Sequence, residues 1–105
     1  MSVIMTLRVE GDPKKLEELA AQNQDTLTGI ADHAKEHGLI AHRFYGSDDG
    51  QIMIIDEWPD PQSFQEFFEH MRPQIEPLMQ QVATSEPVIS FWRKLETGDD
   101  VGWES

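Results

Sequence analysis

A chain of 105 residues is too short to divide a hydrophobic core usefully, so it folds as one domain. Twenty Asp and Glu against eight Lys and Arg give a formal net charge of -12, which excludes nucleic acid and an anionic membrane as partners, since both need a positive footprint. The absence of cysteine excludes disulfides, thiolate metal sites and a thiol nucleophile.

Apolar residues make up 38% of the chain, enough to build a core rather than a disordered segment. The opening SVIMTLRVEGD holds neither a basic nor a long apolar segment. No run approaches the ~20 apolar residues of a membrane helix, and a cytoplasmic protein is expected.

Val3 to Glu10 alternates, with Val3, Met5, Leu7 and Val9 on one face and Ile4, Thr6, Arg8 and Glu10 on the other, the period of a strand. Gly11-Asp12-Pro13 then supplies a turn, a capping carboxylate and a proline for the first helical position. Leu16, Leu19, Leu27, Ile30 and Ala34 recur at helical spacing as far as Gly38, a natural residue just past a helix end. One unbroken helix of that span would run about 38 Å, against about 27 Å for an eight-residue strand. The polar AAQNQDT patch therefore predicts a kink or restart near Asn23 to Asp25.

Leu39 to Gly46 and Gln51 to Trp58 flank Gly46-Ser47-Asp48-Asp49-Gly50 and predict a hairpin. Pro59 ends the second of these strands by holding Trp58 extended. Asp60 and Pro61 repeat the cap-plus-proline start, and Phe64, Phe67, Phe68 and Met71 follow along one helical face. Pro73 and Pro77 are expected to stop that helix, leaving Ile75, Leu78, Met79 and Val82 in a short separate turn. Pro87 to Leu95 reads as a last strand. The domain thus spans 1–95, and 96–105 is a polar, acidic tail whose Trp103 either packs on a partner subunit or stays in solvent.

The resulting order is β-α-β-β-α-β, an α+β, ferredoxin-like plan with a four-stranded antiparallel sheet and helices on one face. Ile40, Phe44, Ile52 and Ile54 alternate with Ala41, Tyr45, Met53 and Ile55, and Ile89 and Phe91 alternate with Val88 and Trp92. Both sheet faces are therefore apolar, and a homodimer that buries sheet against sheet follows.

His42 shares the apolar face of its strand with Phe44, in a pocket or at a dimer seam, and is the first candidate for a general base. Trp58, Phe64, Phe67 and Phe91 are core residues first. If a cavity exists, they and Phe44 are the wall for a small, flat apolar ligand. His70, three residues after Phe67, edges either the cavity mouth or the surface. His33 and His37 have the i, i+4 spacing of a metal pair but no third ligand, and His37 suits the cation-favouring end of a helix, so no metal site is assigned. Arg43 and Arg93 are expected in ion pairs with carboxylates. Asp56 and Glu57 point to opposite faces and cannot act together on one substrate, while Asp60 is a cap.

The strand DEWPD, Asp56 to Asp60, followed by the helix SFQEFFEH, Ser63 to His70, resembles the antibiotic-biosynthesis-monooxygenase-like group of dimeric α/β barrels. As a plan the resemblance covers about residues 3 to 95. It implies a sheet-on-sheet dimer with a cavity between sheet and helices in each protomer, but no single chemistry, since the group holds cofactor-free oxygenases, haem degraders and members without known activity. The haem-degrading branch's strand Asn, helix Trp and axial His correspond here to Met5 or Thr6, Phe67 and Glu76. The Asn and Tyr of the quinone-forming oxygenases correspond to Ile54 and Phe64. Neither catalytic set is present, and no cofactor is expected. Two functions follow: an oxygenase or isomerase acting on a small aromatic or polyketide-like substrate, or a non-catalytic dimeric domain that binds a small apolar ligand or a protein partner.

Overall fold

The computed structural model describes residues 1–102; the alternatives for Trp103 lie outside them. The elements are β1 (Val3–Glu10), α1 (Pro13–Gln22), α2 (Gln24–Glu36), β2 (Ala41–Gly46), β3 (Gln51–Trp58), α3 (Pro61–Gln80) and β4 (Val88–Arg93). The four strands form one antiparallel sheet in the order β2-β3-β1-β4, the ferredoxin-like arrangement.

The central strands β1 and β3 carry the core. Met5, Leu7 and Val9 of β1 and Ile52 and Trp58 of β3 are buried, together with Phe64, Phe67 and Met71 of α3. Each residue sits on the parity that its strand's alternation assigns to the helix side. Met5, Trp58 and Met71 are the most deeply enclosed.

Both Asp-Pro starts form the caps expected of them. Asp12 Oδ1 accepts from the Lys14 amide at 2.9 Å, and Asp60 Oδ1 accepts from the Ser63 amide at 2.7 Å. The expected helix restart falls on Asn23, which closes α1 and opens α2. At the far end of α2, Gly38 takes φ 106°. The Gly38 amide bonds Lys35 O and the Leu39 amide bonds Ala34 O, both at 3.0 Å, the double closure that a left-handed glycine makes possible.

The expectation for α3 fails. Pro73 and Pro77 lie inside a continuous 20-residue helix rather than ending it. The stripe Phe64, Phe67, Met71, Ile75 and Met79 keeps its helical spacing straight through both prolines and packs into or against the core. Both rings are on the exposed side, where water can reach the backbone carbonyls that their missing N–H groups leave free. Burial along the stripe outweighs the local penalty.

The opposite sheet face has no layer over it. Tyr45, Val88 and Trp92 are exposed there, with Ile4, Met53 and Ile55 half-buried between them. Arg43 sits on this face and donates to Tyr45 Oη at 3.2 Å, rather than to a carboxylate as expected.

Candidate functional site

Between the helices and the sheet lies a cavity of about 170 Å³. Met5, Leu7, Ile52 and Ile54 form its floor, Leu16, Leu19, Leu27 and Ile30 its roof, and Phe64 and Phe67 one wall. Three polar side chains reach it: Asn23, His42 and Asp56.

His42 and Asp56 are direct cross-strand partners in the β2–β3 ladder, both on the helix side. His42 Nδ1 lies 2.7 Å from Asp56 Oδ1. The other carboxylate oxygen, Oδ2, accepts from Trp58 Nε1 at 3.1 Å, two residues along the same strand. Asp56 is only 6% exposed, and a carboxylate so enclosed needs its lone pairs met if it is not to be strongly destabilising. Here the imidazole partners one oxygen and the indole the other, and no buried side-chain polar atom among the described residues lacks a partner. With Nδ1 turned to the carboxylate, Nε2 is the imidazole nitrogen free to face a ligand.

This triad is the part of the site that strand alternation alone missed. Asp56 and Glu57 do point to opposite faces, with Glu57 meeting Ser2 on its own side. The partner of Asp56 lies across the hairpin, not along the strand. Pairing outward from the Ser47–Gln51 turn, whose closing amide-to-carbonyl bond is 2.9 Å, sets His42 opposite Asp56.

The other candidates separate into three groups. Phe44, Phe64 and Phe67 line the cavity, and the Phe44 ring stands edge-on to His42 with centroids 5.1 Å apart. Trp58 and Phe91 do not line it. Trp58 is fully enclosed behind Phe64 and Phe67, at centroid distances of 5.8 and 5.5 Å, and Phe91 packs edge-on against Phe64 at 5.8 Å. His70 does not line it either. Met71 takes the inward position, and His70 falls on the exposed flank of α3, its ring 6.0 Å from that of His37. His33 faces Glu36 at 3.7 Å, and among the described residues no three His, Asp or Glu side chains converge to hold a metal ion. Ile54 and Phe64, which the resemblance sets against the Asn and Tyr of the quinone-forming oxygenases, both line the cavity with apolar side chains.

The architecture defines a class: a ferredoxin-like α+β domain with one apolar cavity under its helices, the antibiotic-biosynthesis-monooxygenase-like fold. By sequence the chain matches no family model and no curated protein. By structure it is similar to a monooxygenase from Streptomyces coelicolor in complex with nanaomycin D, at 16% identity over 91% of this chain and 89% of that one, with a TM-score of 0.70. It is also similar to SnoaB, a cofactor-independent oxygenase from Streptomyces nogalater, at 19% identity over 94% and 98% of the two chains, with a TM-score of 0.62. A dimeric ferredoxin-like protein from an uncultured marine organism matches at 14% identity over 90% and 89%, with a TM-score of 0.64. Another match of the same fold is a protein of unknown function from Nitrosomonas europaea. Identities this low establish the fold and leave the chemistry to the site. Among the described residues no helix is long and apolar enough to cross a membrane.

Proposed function

We propose that this protein is an enzyme that removes a proton from a small, flat, weakly acidic substrate bound in the cavity, with His42 as the base and no bound cofactor. The observation that carries the reading is the His42–Asp56 bond at 2.7 Å at the edge of an otherwise apolar cavity. A carboxylate on one imidazole nitrogen fixes the ring's tautomer and orientation and stabilises the cation formed when the other nitrogen takes a proton. The carboxylate also accepts from the Trp58 indole, but a module that merely binds an apolar ligand has no need of the imidazole set against it.

In the reaction, Nε2 accepts the proton from a substrate C–H or O–H, and the electron pair of the broken bond stays on the substrate as an enolate or phenolate. Returning the proton to a different atom gives isomerisation, and reaction of the anion with dioxygen gives oxygenation. Deprotonation is common to both. The cavity is close to the ~150 Å³ of an engineered apolar cavity that holds benzene, so a molecule of one or two fused rings is the fitting size. The working unit is a homodimer joined through the open sheet face. The exposed Tyr45, Val88 and Trp92 and the dimeric neighbour of the same fold support it.

The test uses 2-tetralone, a bicyclic ketone with acidic α protons, in deuterium oxide. NMR is expected to show faster α-deuteration with the protein, and His42→Ala to lower the protein's contribution by about 10²-fold or more while calorimetry still detects binding. Binding without any added exchange in the unaltered protein would assign the domain to ligand binding alone.

A further inference from the structure

Asn23 is the one polar side chain that the helices bring to the cavity, the other two coming from the sheet. It occupies the residue between α1 and α2, where an Asn ordinarily caps the following helix with its side-chain oxygen. It makes no such cap. Its Nδ2 donates backwards to Leu19 O at 2.8 Å instead, leaving Oδ1 and the second Nδ2 hydrogen without a partner among the described residues. An amide carries two acceptor sites and two donors, so most of this one's capacity is unused beside Leu19, Leu27 and Ile30. Asn23 is half-buried and its free amide atoms are open to water, so a ligand hydroxyl there exchanges water bonds for its own.

Asp56 offers a ligand little further bonding, because it is buried and each of its oxygens already has a partner in His42 or Trp58. The polar positions left to a ligand are therefore His42 Nε2 from the sheet and the Asn23 amide from the helices. Everything else around the space is hydrocarbon or aromatic ring.

We infer that Asn23 sets substrate specificity by holding a second oxygen function, so the substrate class is a flat bicyclic molecule with two oxygens: one at the carbon or hydroxyl that His42 deprotonates, and a hydroxyl or carbonyl bound by the Asn23 amide. This rests on the cavity being the substrate site. A hydroxyl suits the amide best, since it can donate to Oδ1 and accept from Nδ2. Asn23 is a positioning residue. It selects and orients the substrate, and His42 takes the proton.

Titration calorimetry with 2-tetralone and 6-hydroxy-2-tetralone tests the inference on the intact protein. The unaltered protein is expected to bind the hydroxylated probe about tenfold more tightly, the worth of one hydrogen bond. Asn23→Ala is expected to bring the ratio close to one, while Asn23→Gln, which keeps the amide, retains part of it. Melting curves check that each variant is folded. Should Asn23→Ala disturb the helix junction, Asn23→Ser is the substitute, because serine caps helices well. Equal affinity of the unaltered protein for the two probes would overturn the inference, as would a preference that survives in both Asn23→Ala and Asn23→Ser, or no binding of either probe. Deuterium exchange on the same samples reports on His42 separately. A preference for the hydroxylated probe without exchange leaves Asn23 as the selector and removes His42 as the base.

Discussion

Asp56 lies directly across the β2–β3 ladder from His42 and holds its Nδ1 at 2.7 Å. The carboxylate is buried on a central strand, and the imidazole is 34% exposed on an edge strand. The fixed partner is thus on a central strand of the sheet and the proposed base in the accessible part, an arrangement suited to a base that must meet a ligand.

Asp56→Asn keeps the size of the side chain and removes its charge. The amide can still accept from Trp58 but no longer stabilises an imidazolium. Exchange of 2-tetralone is expected to fall by about 10-fold or more, with the circular dichroism spectrum unchanged. An unchanged rate would reduce Asp56 to a structural partner of Trp58.

Asp60 governs the acid limit of α3. The Ser63 amide, and after it the Ser63 hydroxyl, donate to its carboxylate and hold its pKa below the ordinary 3.8. A carboxyl group whose folded pKa lies below its unfolded one stabilises the fold above the unfolded value, and that stabilisation is lost as pH falls through the folded value. Asp60→Ala is therefore expected to melt several degrees lower at pH 7, and the difference from the unaltered protein to shrink below about pH 3.8. Melting temperatures at pH 7 and pH 3 decide it; a gap of constant size would place the origin outside the cap.

Pro73→Ala restores an amide donor four residues after Glu69 in a helix that is already continuous. Removing an internal proline is expected to stabilise by about 1–3 kcal/mol in urea unfolding, less the chain entropy that proline withheld from the unfolded state. No gain would show that the local backbone is shaped around the ring.

Trp92 is 56% exposed on the open sheet face, its Nε1 donating to Thr6 Oγ1 at 2.9 Å. Trp92→Glu places a charge on the outer strand β4 of the proposed seam. Sedimentation is expected to give a dimer for the unaltered protein and a monomer for the variant. A monomer in both cases would leave this face for another partner.

The strands were legible in the sequence wherever one face is buried, because alternation then has only one register: β1 and β3 begin and end where the pattern places them. The caps at Asp12 and Asp60 and the break at Asn23 are local chemistry and were legible too. The length of α3 was not. A proline rule is local, whereas the stripe from Phe64 to Met79 is stabilised by the sheet it meets. His42 was legible as a candidate because its parity matches that of Phe44. The pairing of Asp56 was not legible, because alternation relates it only to its neighbour Glu57, while the imidazole it bonds lies fourteen positions away. Asn23 was visible only as a helix interruption, since which side of a junction faces a cavity is decided by packing.

β2 is bonded to the sheet along one side only, and every residue from Ala41 to Gly46 is exposed in the protomer. Outer strands fray at a lower free energy than the strands between them. Half of the His42–Asp56 pair therefore rides on one of the two outer strands, which let go before the central pair. Warming is expected to open the His42–Asp56 pair at temperatures where β1 and β3 still protect their amides from solvent, so the cavity loses its polar edge before the sheet melts.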